Sequence, residues 1–410
     1  MIGSAIFILP SQVAAQLGAW SPLAFLVIGF ASLLVALCFA EVGSRFEGTG
    51  GSYLYTRAAF GRFVGFEVGW MQWFTRVTGH AAVVNALALA LGFYWPTLMG
   101  GVGRPVVVTV VTLMVGWINL RGIRSSANVI NLFTIGKLVP LALFILVGLW
   151  FVDVDRLRVS GGVPLPQLSA GALLLIFAFG GFDNVGVPAG EATDPRRHVP
   201  FALVATIVVV TAVMTLAQIV AMGTLPDLAA STTPIADASL LYMGAAGALI
   251  VSAGAVVSMI GSNMGHVLIA SRTIFALAEN GDLPRPFAKV NPRLRTPSNA
   301  IIFSTFIALA LALSGSFATL AAANAVARLV IYTGACAATL RLRNERFRGT
   351  INAPAFTSPL GSLVPLLAIG VSMLILAGAT QQQLLGGAAA LAAGGVLYIL
   401  KSPGANPSRP

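Results

Sequence analysis

The sequence predicts an all-α, polytopic membrane protein with about twelve transmembrane helices, and composition and long apolar runs carry that prediction. Hydrophobic residues make up 57% of the 410 positions, charged residues make up 9%, and the mean hydropathy is +0.89. A soluble domain carries about 25% charged residues, so this chain has too few charges to cover a water-facing surface. The apolar runs are continuous rather than alternating, which favours helices over a β-barrel.

Twelve apolar segments approach or exceed the roughly 20 residues that a bilayer span needs. The predicted segments are 1–18, 21–45, 62–95, 104–120, 125–152, 168–192, 198–224, 240–279, 297–314, 317–341, 359–379 and 382–400. No cationic leader precedes the first segment, so we expect the given chain to begin inside its first transmembrane helix.

Cations are distributed unequally between alternate loops. One set of loops carries seventeen, and the opposite set carries three: Arg104, Arg156 and Arg158. The seventeen are Arg45, Arg57, Arg62, Arg121, Arg124, Arg196, Arg197, Arg285, Lys289, Arg293, Arg295, Arg341, Arg343, Arg346, Arg348, Lys401 and Arg409. The positive-inside rule then predicts a multi-pass protein of the inner (plasma) membrane with both termini in the cytoplasm.

Several function classes are disfavoured by what the sequence lacks. The net charge of +11 is spread over short loops without a contiguous basic domain, so no nucleic-acid partner is expected. Cys38 and Cys336 lie inside apolar runs, which predicts neither a disulfide framework nor a metal site. No HExxH, GxSxG or Walker motif is present, so we expect neither an enzyme nor a bound cofactor.

Two apolar segments are interrupted by residues that weaken helices. Gly3-Ser4-Ala5 interrupts the first segment, and Gly180-Gly181-Phe182-Asp183-Asn184 interrupts the sixth. Small residues that let helices pack closely are the alternative explanation for each interruption. The two segments lie five apart, however, as an inverted five-helix repeat would place them, and matched interruptions are typical of a transporter's midplane binding site.

Four stretches also resemble one known family. They are MIGSAIFILP at the start, FEGTGGSYLYTRAAFG at 46–61, FAFGGFDNVGVPAGEATDPRRHVP at 177–200 and ALAENGDLPRPFAKVNPRLRTP at 276–297. They are similar, in order, to segments of the amino acid–polyamine–organocation superfamily. The resemblance spans nearly the whole chain but does not indicate a particular substrate.

The resemblance implies one transmembrane bundle over 1–400, followed by a cytoplasmic tail at 401–410. The first repeat would occupy 1–152, the second 168–341, and two additional helices 359–400. Discontinuous helices one and six would hold the substrate between them. The bundle would lie in the lipid bilayer, and no cofactor is expected.

The resemblance also implies contacts for an amino acid or amine substrate. Free backbone N–H groups at the half-helix start would hold its carboxylate, and free carbonyls on helix six would hold its ammonium. An aromatic residue on helix six, here Phe177, would gate the pocket. The substrate-binding residues predicted at the two interruptions are Ile2, Gly3, Ser4, Ala5, Phe177, Ala178, Phe179 and Asp183.

Ionisable residues near the middle of their spans are further site candidates, because charges in hydrocarbon are costly. Arg76 and His80 share one face of helix three, and Gly79-His80 has a counterpart in Gly265-His266. We predict Arg76, His80 and His266 at the substrate site, and a pocket that holds histidines rather than a wall of aromatic residues would suit a polar or acidic side chain. The alternative is that both histidines are satisfied by neighbouring hydroxyls or carbonyls.

Two other mid-span residues have competing interpretations. Arg328 could form a neutral structural bridge with Asp183 or could contact substrate. Lys137 has no acidic residue within a helical turn, so desolvation favours its neutral amine. It lies where several members of the superfamily carry a lysine and sodium-coupled relatives hold their ion, so we predict that Lys137 loads and releases a proton. Structural bonding to carbonyls is the alternative.

These observations predict a proton-coupled symporter, or permease, that imports amino acids by alternating access. An obligate exchanger of amino acids or polyamines is the alternative within transport, and a passive channel is the alternative from another class. No filter motif or pore loop supports a channel.

Overall fold

The computed structural model describes residues 3, 5–46, 50–92, 94–99, 101–122, 127–159, 161–184, 195–347 and 349–401. Over these residues the chain forms helices, turns and loops, without a β-strand. Its α-helices, in chain order, are α1 (Ala5–Leu17), α2 (Ser21–Gly43), α3 (Ser52–Phe60), α4 (Arg62–Gly92), α5 (Gly103–Leu120), α6 (Ala127–Gly148), α7 (Leu165–Ala178), α8 (Pro195–Thr224), α9 (Pro234–Glu279), α10 (Ser298–Ser314), α11 (Phe317–Leu342), α12 (Leu363–Ala377) and α13 (Gln381–Lys401).

The helices are long and apolar enough to make a multi-pass membrane protein. Eight helical stretches of the described residues could cross a bilayer, and the first, Ala5–Gly43, contains both α1 and α2. Three shorter apolar helices lie in the regions of α6, α10 and α12. Counted separately, these helices match the twelve predicted segments, and the predicted all-α polytopic fold is confirmed.

The structure departs from the predicted segments in two places. The short helix α3 lies between the second and third segments, where no helix was predicted. At nine residues it is too short for a span, and polar residues such as Thr56 and Arg57 interrupt its apolar ones, so no apolar run indicated it. Helix α7 begins at Leu165, before the start of the predicted sixth segment, 168–192, and it ends at Ala178, next to the predicted interruption of that segment at 180–184. Residues 185–192 of the segment lie outside the described residues.

Helix packing places α4 at the centre of the bundle. Helix α4 packs most extensively against α9 and α11, and α2 packs most extensively against α8. Helix α1 contacts α7, and α5 contacts α10. Large apolar side chains of α5, α12 and α13 are exposed on the surface, as lipid-facing side chains are.

Buried carboxylates tie several helix ends together at one end of the bundle. Asp282, just after α9, accepts hydrogen bonds from Tyr53 at 2.8 Å, Arg57 at 3.0 Å and Arg62 at 2.6 Å. Burial, reinforced by the charge of Asp282, raises the pKa of the Tyr53 hydroxyl, which therefore stays protonated and continues to donate. The Asp282 carboxylate thereby joins α3 and the start of α4 to the end of α9.

A second carboxylate, Glu41 of α2, accepts a hydrogen bond from Arg343 Nε at 2.7 Å and from the Ser358 hydroxyl at 2.7 Å. The hydrogen bond that Arg343 donates to Glu41 raises the pKa of the Arg343 guanidinium. This pair fixes the end of α11 and the segment before α12 to α2.

Candidate functional site

A cavity of about 230 Å³ lies where the start of α1 meets the end of α7. It is far larger than the roughly 15 Å³ that one water molecule requires. Gly3 and Ala5 line it at the start of α1, and Phe177 and Ala178 line it at the end of α7. Side chains from α4, α9 and α11 complete its wall. Five helices therefore enclose a space beside the two interruptions that the sequence showed.

The end of α7 is built by the residues of the second interruption. Gly181 has a φ of +119°, a backbone conformation that favours glycine. Asp183 Oδ1 accepts a hydrogen bond from the Gly181 N–H at 3.0 Å, and Asn184 Nδ2 donates to the Gly181 carbonyl at 3.0 Å. These local bonds replace the next helical turn, so α7 stops beside the cavity instead of continuing through it.

An ion cluster joins this turn to α4 and α11. Asp183 Oδ1 accepts a hydrogen bond from Arg328 Nη1 at 2.8 Å, and Asp183 Oδ2 accepts one from Arg76 Nη2 at 3.2 Å. All three side chains are buried, and both arginines also line the cavity. A bridge from Arg328 to Asp183 was one of the two interpretations that the sequence left open. The structure adds Arg76 to that bridge, so one carboxylate serves two guanidinium groups.

Neutral side chains hold both guanidinium groups in place. Arg76 Nε and Nη2 donate to the Thr75 hydroxyl at 3.2 and 3.1 Å. Arg328 Nη2 donates to Asn324 Oδ1 at 2.9 Å, and Asn324 Nδ2 in turn donates to the Thr78 hydroxyl at 3.1 Å. The arginines are thus oriented from α4 and α11 before any substrate binds.

The two predicted histidines have different surroundings. His266 of α9 lines the cavity, and its buried Nδ1 has no hydrogen-bond partner among the described residues. Gly79 makes room for it, because a Cβ at that position would lie 2.7 Å from His266 Cε1. His80 does not line the cavity. Its Nε2 lies 3.2 Å from the Thr112 hydroxyl of α5, which matches the structural alternative for that histidine.

The two predicted aromatic residues also differ. Phe177 lines the cavity and packs edge-on against Phe317 of α11, with ring centroids 5.7 Å apart. Phe179 is fully buried away from the cavity wall and packs against Phe25 of α2, with centroids 6.4 Å apart. Only Phe177 therefore stands where it could cover a substrate.

Lys137 is not among the residues that line the cavity. It lies in α6, and the residues around it pack against α9. A Cβ at Gly136 would lie 3.3 Å from a side-chain carbon of Val257 in α9, and Gly254 of α9 packs against Pro140 of α6. Helix α9 in turn carries His266 to the cavity. Any effect of Lys137 on the cavity would pass through this α6–α9 contact.

Two predicted site residues, Ile2 and Ser4, lie outside the described residues. Further cavity-lining residues were not predicted: Val83, Gly180, Gly181, Asn184, Ser262, Gly265 and Ile269. Gly180, Gly181 and Asn184 belong to the interruption that the sequence indicated, and Gly265 belongs to its Gly265-His266 pair. Val83, Ser262 and Ile269 are neutral side chains inside apolar helices, and such residues give no sign of a site in a sequence. Over the part of the chain that the structure describes, no cluster of histidine, cysteine or acidic side chains could hold a metal ion.

A bundle of apolar helices with a cavity where one helix begins and another ends fits the architecture of a secondary transporter. A family model described as amino acid permease matches residues 1–393. The chain belongs to this family of amino acid permeases, and its resemblance to the wider superfamily is confirmed. It is a multi-pass membrane transporter rather than an enzyme.

Characterised relatives carry several transport activities. The chain is 31% identical to a serine/threonine exchanger of Bacillus subtilis over 92% of this chain and 87% of that protein. It is 25% identical to a methylthioribose transporter of the same organism over 98% of this chain and 90% of that protein. It is 28% identical to an arginine/ornithine antiporter of Pseudomonas aeruginosa over 73% of this chain and 65% of that protein.

Proposed function

We propose that this chain is a secondary transporter that imports an amino acid through the cavity by alternating access. One observation carries the proposal: α1 begins and α7 ends at the same cavity. The start of a helix is electropositive and suits the α-carboxylate, whereas the end of a helix is electronegative and suits the α-ammonium. Two opposite helix ends in one cavity fit the two charges of a zwitterion.

Backbone groups supply the contacts in this proposal. The N–H groups after Ala5, together with the segment containing Ile2, Gly3 and Ser4, would hold the carboxylate. The carbonyls of Phe177 and Ala178 would hold the ammonium. The Phe177 carbonyl accepts the Gly180 N–H at 3.2 Å and keeps a second lone pair for substrate.

The packing of helix pairs supports an inverted repeat over 1–152 and 168–341, with 359–400 as additional helices. Under such a repeat the first five spans (α1, α2, α4, α5, α6) correspond to the next five (α7, α8, α9, α10, α11). Four of these corresponding pairs are in direct contact: α1 with α7, α2 with α8, α4 with α9 and α5 with α10. Rocking of one repeat against the other would expose the cavity to each side of the membrane in turn.

The test of transport is counterflow of radiolabelled serine into proteoliposomes loaded with unlabelled amino acid. We expect uptake that saturates with substrate concentration and transiently exceeds equilibrium. Uptake that rises linearly with concentration and never overshoots would indicate a channel and contradict the proposal.

We also propose that the protein lies in the plasma membrane with both termini in the cytoplasm, because the loops that carry most of the cations belong on that side. Replacing Arg158, which is exposed between α6 and α7, with cysteine should create a site that an impermeant maleimide labels in intact cells. A cysteine at exposed Arg293, between α9 and α10, should be labelled only after permeabilisation.

The two native cysteines, Cys38 and Cys336, are buried and should give little background. Labelling of position 293 but not of position 158 in intact cells would reverse the proposed orientation.

Proton coupling through Lys137 is a further part of the proposal. Its support is the position of Lys137 in α6, on a helix that packs against the cavity-lining helix α9. Protonation at Lys137 would change how α6 and α9 pack, and loss of the proton on the cytoplasmic side would allow release of substrate.

We expect Lys137→Ala to retain exchange of amino acid but to lose accumulation driven by a pH gradient. Lys137→Arg should stall net uptake, because arginine does not deprotonate in proteins. The measurement is uptake into proteoliposomes under an imposed pH gradient, with and without a protonophore. The exposed Lys289, replaced by alanine, provides the matched control and should behave as wild type. Gradient-driven accumulation that survives in Lys137→Ala would remove this lysine from the coupling.

Obligate exchange is the second candidate, because two of the relatives are described as an exchanger and an antiporter. The same proteoliposomes distinguish the two modes. An importer accumulates substrate in vesicles that contain no amino acid, whereas an obligate exchanger requires amino acid inside.

A further inference from the structure

The charges of the described residues around the cavity do not balance. Arg76 and Arg328 contribute two positive charges, and Asp183 contributes one negative charge. The other buried carboxylates with ion-pair partners in the described residues, Glu41 and Asp282, are bound to cations elsewhere. Among the described residues, one positive charge beside the cavity therefore has no counter-charge. An uncompensated buried charge is costly, so a ligand that supplies a negative charge there is favoured.

The hydrogen bonds of Arg76 show where such a ligand would bind. Its Nε and Nη2 atoms donate to Thr75 and Asp183, whereas its Nη1 has no partner among the described residues. Arg328 is more fully engaged, because Nη1 donates to Asp183 and both Nε and Nη2 donate to Asn324. Arg76 also lines the cavity. Among the described residues, Arg76 is therefore the guanidinium that lines the cavity and has an entire terminal NH2 group without a partner.

A zwitterionic amino acid does not supply this charge. In the proposed function its carboxylate is held at the start of α1 and its ammonium at the end of α7, so its two charges cancel. A cationic side chain would add a third positive charge and is disfavoured. An anionic side chain would bring the cavity and its contents to neutrality.

We infer that the transported amino acid carries a second carboxylate, and that Arg76 binds this side-chain group. This inference rests on the proposed function and specifies its substrate class: acidic amino acids of the size of aspartate or glutamate. The unpartnered Nδ1 of His266 lies in the same wall and is a second polar atom available to that group. Arg76 is then the residue that sets specificity, while the helix ends hold the part common to all amino acids.

The test compares acids with their nearly isosteric amides. Purified full-length protein in proteoliposomes would take up radiolabelled glutamate, with aspartate, asparagine, glutamine and lysine as competitors. A hydrogen bond to a charged group contributes about 1.5–3 kcal/mol, so each acid should compete about 10- to 100-fold better than its amide. Lysine should compete least.

Two variants assign the preference to Arg76. Arg76→Gln should reduce the acid-to-amide ratio to near one, and Arg76→Lys, which keeps the charge, should retain part of it. Arg104 of α5, which bonds Asn85 and the Gly315 carbonyl outside the cavity, provides the control, and Arg104→Gln should keep the wild-type ratio. If Arg76→Gln does not fold, the acid-to-amide ratio of the wild type and of Arg76→Lys still tests whether Arg76 binds the side-chain carboxylate.

Three outcomes would overturn part of the account, and they can be told apart. Amides that compete as well as acids in the wild-type protein would refute the acidic substrate class while leaving amino acid transport intact. Serine uptake that requires external chloride and fails in gluconate, without any acid preference, would show that a free anion, not the substrate, neutralises Arg76. Uptake of labelled serine and labelled glutamate that both fail would refute the proposed function itself.

Discussion

Gly180→Ala is expected to abolish high-affinity substrate binding although it adds only one methyl group. A Cβ at position 180 would overlap the guanidinium group of Arg328, which Asp183 and Asn324 hold in place. The guanidinium can move away only by giving up its buried ion pair, at a cost of up to about 3–5 kcal/mol. If even about 3 kcal/mol of this cost falls on the binding-competent state, affinity falls by about 100-fold. Binding of radiolabelled substrate to purified protein measures the change.

The matched control is Gly265→Ala. Gly265 lines the same cavity, but a Cβ there would have no neighbouring atom within 4 Å. Gly265 also lies inside α9, where alanine is the better helix former. We expect Gly265→Ala to bind substrate with near wild-type affinity. If both alanine variants lose binding equally, or neither does, the ion cluster does not control the cavity.

Asp183→Asn is expected to destabilise the whole protein. The substitution removes the one carboxylate that Arg76 and Arg328 share and leaves two buried guanidinium groups without an anion. Removal of one partner from a buried ion pair typically costs about 3–5 kcal/mol, and here two pairs are lost together. The measurement is the midpoint of thermal unfolding of the purified protein in detergent, followed by size-exclusion chromatography.

Two further variants show whether the loss of the buried negative charge causes the destabilisation of Asp183→Asn. Asp155→Asn breaks an ion pair with Arg158 in which both side chains are exposed, and it should have little effect on unfolding. Combining Asp183→Asn with Arg76→Gln removes one of the two unpaired cations and should recover part of the lost stability. Asp183→Asn that unfolds at the same temperature as Asp155→Asn would contradict the assigned role of the cluster.

The spans and one of the two interruptions could be predicted because their signals are local. Continuous apolar runs indicate a span wherever they occur, and the glycine pair before Asp183 weakens a helix regardless of what surrounds it. The break after Ala178 therefore lies where the sequence indicated it. The pairing of Asp183 with Arg328 was one of two interpretations left open, because both residues lie near the middle of their spans.

What could not be predicted depends on contacts between distant segments. Arg76 and His80 share one face of α4, yet Arg76 reaches the cavity and His80 contacts Thr112 of α5. A rotation of α4 by a fraction of a turn decides between those surroundings, and the sequence of α4 alone does not fix it. Phe177 and Phe179 differ for the same reason, since positions two apart on a helix face different neighbours. Helix α3 was missed because it is short and partly polar.

Substrate binding by Ala5→Leu and Ala5→Gly shows most directly whether the start of α1 holds the substrate carboxylate. Ala5 is the first residue of α1 and lines the cavity at the proposed carboxylate site. A leucine would occupy that space and block access to the N–H groups of the first turn, whereas a glycine would leave the space open. We expect no detectable substrate binding in Ala5→Leu and retained binding in Ala5→Gly. Unchanged affinity in Ala5→Leu would show that the start of α1 does not hold the substrate carboxylate.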